Sequence, residues 1–456
     1  MKINWKISIR IAALMAGALV ATGLSLNAAV AGNAVAGYIL EISSGANARE
    51  IAARYGLTVQ RSWAADSHLS YAVSAPQPLA SSILAHLKNE SGVIAVEVNG
   101  ELHTSEADSS SRAMATPEVL GSWFWKRDRA DFFGTLVQAG YVQQPGAVIV
   151  RADEAQRLFG KGSGVVAIID TGVDPNHAAL RDVLVPGYDF TRDRSDTVSE
   201  LLDLDPATAA ALQQSTVEIL DAGRPSVQLN STTVAMLSQS TVEILDGKGL
   251  PSAFGHGTMV AGLVHRVAPG ARIMPLKAFR ADGSAALSDI VRAILYAVDH
   301  GATTISMSFS FATRSAQLQL AIEYAASHGV LCVASAGNNG HETAVYPAAF
   351  KQVVGVGSTN FADRRSAFSN WGSAARTSAP GEALVTTFPG NTYAGVWGTS
   401  FSTALVSGAT ALFRQVTPGL RFESLKNALD YGMHIEQDMG DARLDLVRTI
   451  IYLQKQ

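Results

Sequence analysis

Three short segments of this 456-residue chain each set a reactive side chain beside glycine. In Ile168-Ile169-Asp170-Thr171-Gly172 a carboxylate stands where an apolar run ends and a glycine turn begins. In Phe254-Gly255-His256-Gly257-Thr258 an imidazole lies between glycines, at the apparent start of a helix rich in small apolar residues. In Gly398-Thr399-Ser400-Phe401-Ser402 a hydroxyl sits at the mouth of another small-residue helix. Hydroxyl, imidazole and carboxylate are the residue types of nucleophilic catalysis. Each segment by itself also has a plainer reading. Asp-x-Gly makes ordinary turns, a single histidine packs or faces solvent, and Gly-Thr-Ser can be a plain N-cap. Their joint presence, in the order Asp, His, Ser, is what singles them out.

Over residues 138–450 the chain resembles the subtilisin-like serine endopeptidases, the subtilases. Asp170-Thr171-Gly172, His256-Gly257-Thr258 and Gly398-Thr399-Ser400 match the three family signatures. Ser335-Ala336-Gly337-Asn338 matches the segment carrying the family's oxyanion-hole asparagine, and Ser306-Met307-Ser308-Phe309 matches the strand that lines its cleft. Ala268-Pro269-Gly270-Ala271, Ser369-Asn370-Trp371-Gly372 and Ala379-Pro380-Gly381 add support. The resemblance implies peptide-bond hydrolysis through an acyl-enzyme, with Asp170, His256 and Ser400 catalytic. The oxyanion hole would be the Asn338 amide and the Ser400 backbone N–H. The substrate cleft would include Ser308, Phe309, Ser310, Ser335, Ala336 and Gly337.

The physical need for each group is plain. A serine hydroxyl is too weakly acidic to attack a carbonyl unaided, so His256 takes its proton and passes it to the leaving amine. Asp170 holds the imidazole tautomer and stabilises the imidazolium. Two donors offset the charge that develops on the carbonyl oxygen. This chemistry requires no cofactor and no metal. Structural calcium, common in the family, stays open, although Asp282, Asp289 and Asp363 lack ligand-loop spacing and read as solvated surface. The alternative reading is a catalytically silent subtilase-like binding protein, and retention of Asp170, His256, Asn338 and Ser400 argues against it. A lipase-type elbow, Gly-x-Ser-x-Gly, is excluded because Ser402 stands where the second glycine would.

Three positions depart from the family pattern. Ala404 replaces the usual proline after the nucleophile, His177-Ala178-Ala179-Leu180 replaces His-Pro-x-Leu, and the cleft strand ends Ser308-Phe309-Ser310 instead of Ser-Leu-Gly. These bear on substrate preference more than on the reaction.

The elements that must position these groups follow from hydrophobic pattern. From residue 147 onward, short apolar runs at 165–169, 271–274, 304–307, 330–334 and 353–356 alternate with helical stretches such as 288–300 and 316–328. Strands buried on both faces and joined by helices describe an α/β fold with a mostly parallel sheet, the subtilisin-like architecture. Residues 37–103 read as β-α-β-β-α-β, a small ferredoxin-like unit. The resemblance makes it a propeptide that chaperones folding and blocks the cleft in cis. Residues 104–146 then form a linker and processing region, and residues 147–456 the peptidase domain. An insertion at 196–253 carries a repeat, Gln-Ser-Thr-Val-Glu-Ile-Leu-Asp, beginning at Gln214 and again at Gln239.

Composition sets the remaining bounds. Hydrophobic residues are 47% of the chain and charged residues 16%, enough for a sizeable core. A net charge of -4 argues against a nucleic-acid partner. The single cysteine, Cys332, lies in an apolar run and reads as a buried hydrophobe. Lys2, Lys6 and Arg10, an apolar stretch over 11–26 and Ala29-Val30-Ala31 have the layout of a secretory signal peptide over residues 1–31. The expectation is an exported protein that meets the membrane only during export and acts on polypeptides.

Overall fold

The computed structural model describes residues 36–103, 128–214, 233–236, 250–435, 439–440 and 442–456. The signal-peptide reading, most of the linker and both repeat copies beyond Gln214 lie outside the described residues.

The centre is a nine-stranded sheet among the described residues. Its order is Met433–His434, Ala442–Arg443, Thr377–Pro380, Val353–Thr359, Leu331–Ser335, Thr304–Met307, Val165–Asp170, Arg272–Lys277 and Tyr188–Asp189. All neighbours run parallel except the first pair. The expected mostly parallel sheet flanked by helices is therefore present. Alternate side chains feed opposite faces, as the two-residue period of a strand requires. Val166 and Ile168 join one core with Val260, Val264, Phe401 and Leu405. Ala167 and Ile169 join the other with Ile290, Ile294, Ala321 and Ile322. The first face carries helices His256–Val267 and Thr399–Val416, and the second carries Leu287–Asp299 and Ala316–Ser327.

The body begins earlier than the expected residue 147. The hairpin Arg129–Phe132 and Thr135–Gln138 leads into a short helix, Ala139–Gln143. Phe132, Val137 and Tyr141 are buried with Ala383, Val385 and Trp397. The Tyr141 hydroxyl donates to Gly262 O at 2.7 Å, inside the His256 helix. Burial of these aromatics draws residues 128–146 into the body. The expected insertion is likewise not all excursion. Glu200, Leu201 and Leu212 are buried, and Thr233–Met236 pairs antiparallel with Thr392–Val396.

Residues 36–98 form a separate four-stranded antiparallel sheet in the order Thr58–Ala65, His68–Ala75, Ala36–Ile42, Val93–Val98, with helices Ala48–Arg54 and Ser81–Lys88. The strand and helix succession is the one read from the sequence. This unit has its own apolar core around Leu40, Ile51, Val73 and Leu87. It rests on the helices of the second face. The following strand, Glu101–His103, pairs antiparallel with Ser284–Ala286 of the body.

Candidate active site

Asp170 ends its strand at the carboxyl edge of the sheet, where α/β proteins build sites. His256 begins its helix, after Gly255 at φ +84°. The two motifs meet backbone to backbone. A Cβ on Gly257 would run into the carbonyl oxygen of Gly172. Glycine at 257 is thus a packing requirement: a side chain there would push the helix away from the strand end. The result is a 2.7 Å hydrogen bond from His256 Nδ1 to Asp170 Oδ1 between two buried side chains. Thr171 N also donates to Asp170 Oδ1, at 2.7 Å.

Ser400 is the second residue of helix Thr399–Val416, in its first turn. Its hydroxyl donates to Ser308 O, and Ser308 Oγ donates back to Ser400 O, each at 3.2 Å. The next ring on that helix, Phe401, lies 5.6 Å from the His256 imidazole. Asn338 Oδ1 accepts from Thr399 N at 2.9 Å and Thr399 Oγ1 at 2.8 Å. The threonine of Gly-Thr-Ser is therefore the residue that orients Asn338. Asn370 supports the same loop. Its Nδ2 donates to Ala336 O at 2.9 Å, and its Oδ1 accepts from Asn339 N at 3.1 Å.

The structure thus brings Asp170, His256, Ser400, Asn338 and Ser308 to one edge of the sheet. Ser335, Ala336 and Gly337 lead into Asn338. Ser310 is half-buried, and its Oγ would sit 3.0 Å from a Cβ on Gly337. The Phe309 ring packs into the second core against Phe279 and Phe311, which leaves the cleft role expected of its backbone untouched. Ala404 is fully buried in the first core, and His177, also buried, contacts Thr392 O through Nε2 at 3.0 Å.

Sequence reasoning missed Glu200. It is fully buried, on the one-turn helix Glu200–Asp203, at the foot of the His256 helix. Its Oε2 accepts from Gly255 N and Thr171 Oγ1, each at 2.9 Å. Its Oε1 accepts from Thr258 N at 3.1 Å and from Thr258 Oγ1. Burial raises its pKa to about 7, opposed by the Thr258 and Thr171 hydroxyls and the Lys277 ammonium. Lys277 is itself buried and donates to Asp203 Oδ2 and Thr171 O, at 2.7 and 2.6 Å. No motif flags Glu200, because it lies 56 residues before His256 in the sequence and outside the glycine-flanked segments. 

The acids weighed for calcium hold other partners. Asp363 pairs with Arg443, Asp289 with Arg61 and Arg292, and Asp282 accepts from Ser284 N. Among the described residues no group of three or more His, Cys, Asp or Glu could hold a metal ion. No helix of the described residues is long and apolar enough to cross a membrane.

A parallel sheet that gathers an aspartate, a histidine and a helix-start serine at its carboxyl edge has the form of a serine peptidase. Residues 161–434 match the model of the subtilase family, and the chain belongs to that family of serine endopeptidases. It is 33% identical over 263 residues to the thermophilic serine proteinase of Bacillus sp. (strain AK1), covering 56% of this chain and 52% of that protein. It is 30% identical over 281 residues to thermitase of Thermoactinomyces vulgaris, covering 59% of this chain and 81% of that protein. Subtilisin BL of Lederbergia lenta is 36% identical over 184 residues, 38% of this chain and 68% of that protein. The chain thus spans about half the length of the Bacillus relative.

Proposed function

We propose that this protein is an exported endopeptidase in which Ser400 is the nucleophile, His256 the general base and Asp170 its orienting partner. The observation that carries the reading is the buried Asp170–His256 bond at 2.7 Å beside a serine at a helix start. His256 Nε2, the nitrogen opposite that bond, takes the Ser400 proton as Oγ attacks the scissile carbonyl. The imidazolium then protonates the leaving amine, and water repeats the sequence to release the acyl group. Asn338 Nδ2 and the Ser400 N–H donate to the oxyanion. Substrates are polypeptides, held extended along residues 308–310 by backbone pairing.

Residues 37–103 act as a propeptide in cis, removed by cleavage within 104–146, after a signal peptide over 1–31 has been cut. Supporting this, Glu101–His103 already lies as an added strand on Ser284–Ala286. Expression of wild type and Ser400→Ala, with N-terminal sequencing of what accumulates, tests the whole reading. The variant should lose turnover by about 10⁶-fold, the magnitude established for subtilisin's own nucleophile, and should accumulate uncleaved. Peptide hydrolysis by Ser400→Ala at the wild-type rate would overturn it. A serine-directed phosphonate that labels wild type and not the variant separates an enzyme from a silent binding protein.

A further inference from the structure

We propose that Glu200 is a positioning residue for His256, tying the strand end that carries Asp170 to the helix start that carries the imidazole. The inference rests on the hydrolytic reading above and names one more residue that the reaction needs.

Geometry carries it. Four donors converge on one carboxylate from two elements that must not move apart. Gly255 N and both donors of Thr258 belong to the helix start, on either side of His256. Thr171 Oγ1 belongs to the strand end, next to Asp170. Thr171 Oγ1 also accepts from Gly257 N at 3.0 Å and lies 3.3 Å from Asp170 Oδ1. The chain from Glu200 through Thr171 thus reaches Asp170 and the residues on either side of His256. The carboxylate also stands where the open amides of a helix start favour an anion. The segment cannot slide away, because Val173 N donates to Val198 O at 3.0 Å and Asp203 is held by buried Lys277.

Glutamine cannot replace this group. Its amide would turn an N–H₂ toward a backbone N–H, of Gly255 or of Thr258, whichever way it flipped. The charge matters as well. Asp170 and Lys277 face Glu200 from the neighbouring elements, and Asp203 lies on its own turn. Glu200 itself titrates at the site, so its loss takes that titration out of the acid limb. Burial holds Glu200 near 7, so the clamp loosens as the solution turns acidic.

The test uses the full chain, with Glu200→Gln and Thr171→Val compared with wild type on one peptide substrate. Folding is checked by circular dichroism. The expected result for Glu200→Gln is a kcat lower by about 10- to 100-fold, the usual cost of a small misplacement, with KM unchanged. The acid limb of its kcat/KM profile should move to lower pH. Thr171→Val keeps the charge and the volume but cuts the link, and should lose kcat with a smaller shift of the limb. A folded Glu200→Gln with wild-type kcat overturns the proposal. So does a fall in kcat with an unmoved acid limb, which is what a purely structural loss would give. If Glu200→Gln does not fold, wild-type kcat in Thr171→Val overturns it. Ser400→Ala in the same series separates the two readings: if it stays active, the hydrolytic mechanism itself has failed.

Discussion

His256 and His265 share one helix and are both buried, yet they meet different surroundings. His256 has a carboxylate on its ring. His265 packs edge-on to Phe132 at 5.3 Å, and its Nδ1 has no hydrogen-bond partner among the described residues. Burial first, then the charges of Arg266 and His177, lower its pKa from the usual 6.5 to about 4. The folded protein therefore binds fewer protons here than the unfolded chain between those values. Stability is retained above pH 6.5 and lost as pH falls toward 4, by about 3 kcal/mol for this group. His265→Phe should remove most of that loss. Urea denaturation at pH 7 and pH 4.5 measures it, and an equal drop in both proteins would refute the assignment. Cys332 follows the same logic in reverse: burial pushes its thiol up to about 12, which makes it inert packing, as its apolar run implied.

At the scale of elements, the site is a junction of one strand end and two helix starts. Glycine makes the approach close. Gly257 lies on the Gly172 carbonyl, and a Cβ on Gly408 would stand 2.9 Å from Val264 O, where the two helices of the first face cross. Neither obstacle is a side chain that can turn aside. Gly257→Ala should therefore cost about 3 kcal/mol by overpacking and break the Asp170–His256 bond. Loss of the low-field proton resonance of that bond, in a protein that still folds, is the expected signature. An alanine variant with full stability and activity would show that the junction has slack.

For the whole molecule, the question is how the small N-terminal unit holds to the body. Gln317 is the hub. Its Nε2 donates to Glu41 Oε2 at 3.0 Å, its Oε1 accepts from Ser70 Oγ at 2.9 Å, and its N–H donates to Glu97 Oε2 at 3.1 Å. Three strands of the small unit thus converge on the first turn of one helix. Arg61 adds ion pairs to Asp289 and Asp193, at 3.1 and 3.7 Å. Gln317→Ala would leave buried Glu41 and Ser70 short of partners, a penalty of about 1–3 kcal/mol. If the small unit blocks the cleft, activity should appear sooner from the variant precursor than from wild type. An unchanged lag in a time course of peptide hydrolysis would argue against this contact as the latch.

Local pattern alone determined much of this protein. The apolar runs marked the parallel strands, the helical stripes marked the small unit, and three glycine-flanked motifs marked Asp170, His256 and Ser400. Those signals are short-range: a strand, a turn or a helix start is written in adjacent residues. Tertiary structure decided what adjacency cannot encode. It turned Phe309 into the core and drew residues 128–146 into the body through Phe132 and Tyr141. It also set Glu200 beneath His256. In each case the deciding partner lies far along the chain, so the contact exists only once the sheet has brought the segments together. The motifs name the groups at the site, while packing across the sheet fixes the distances between them.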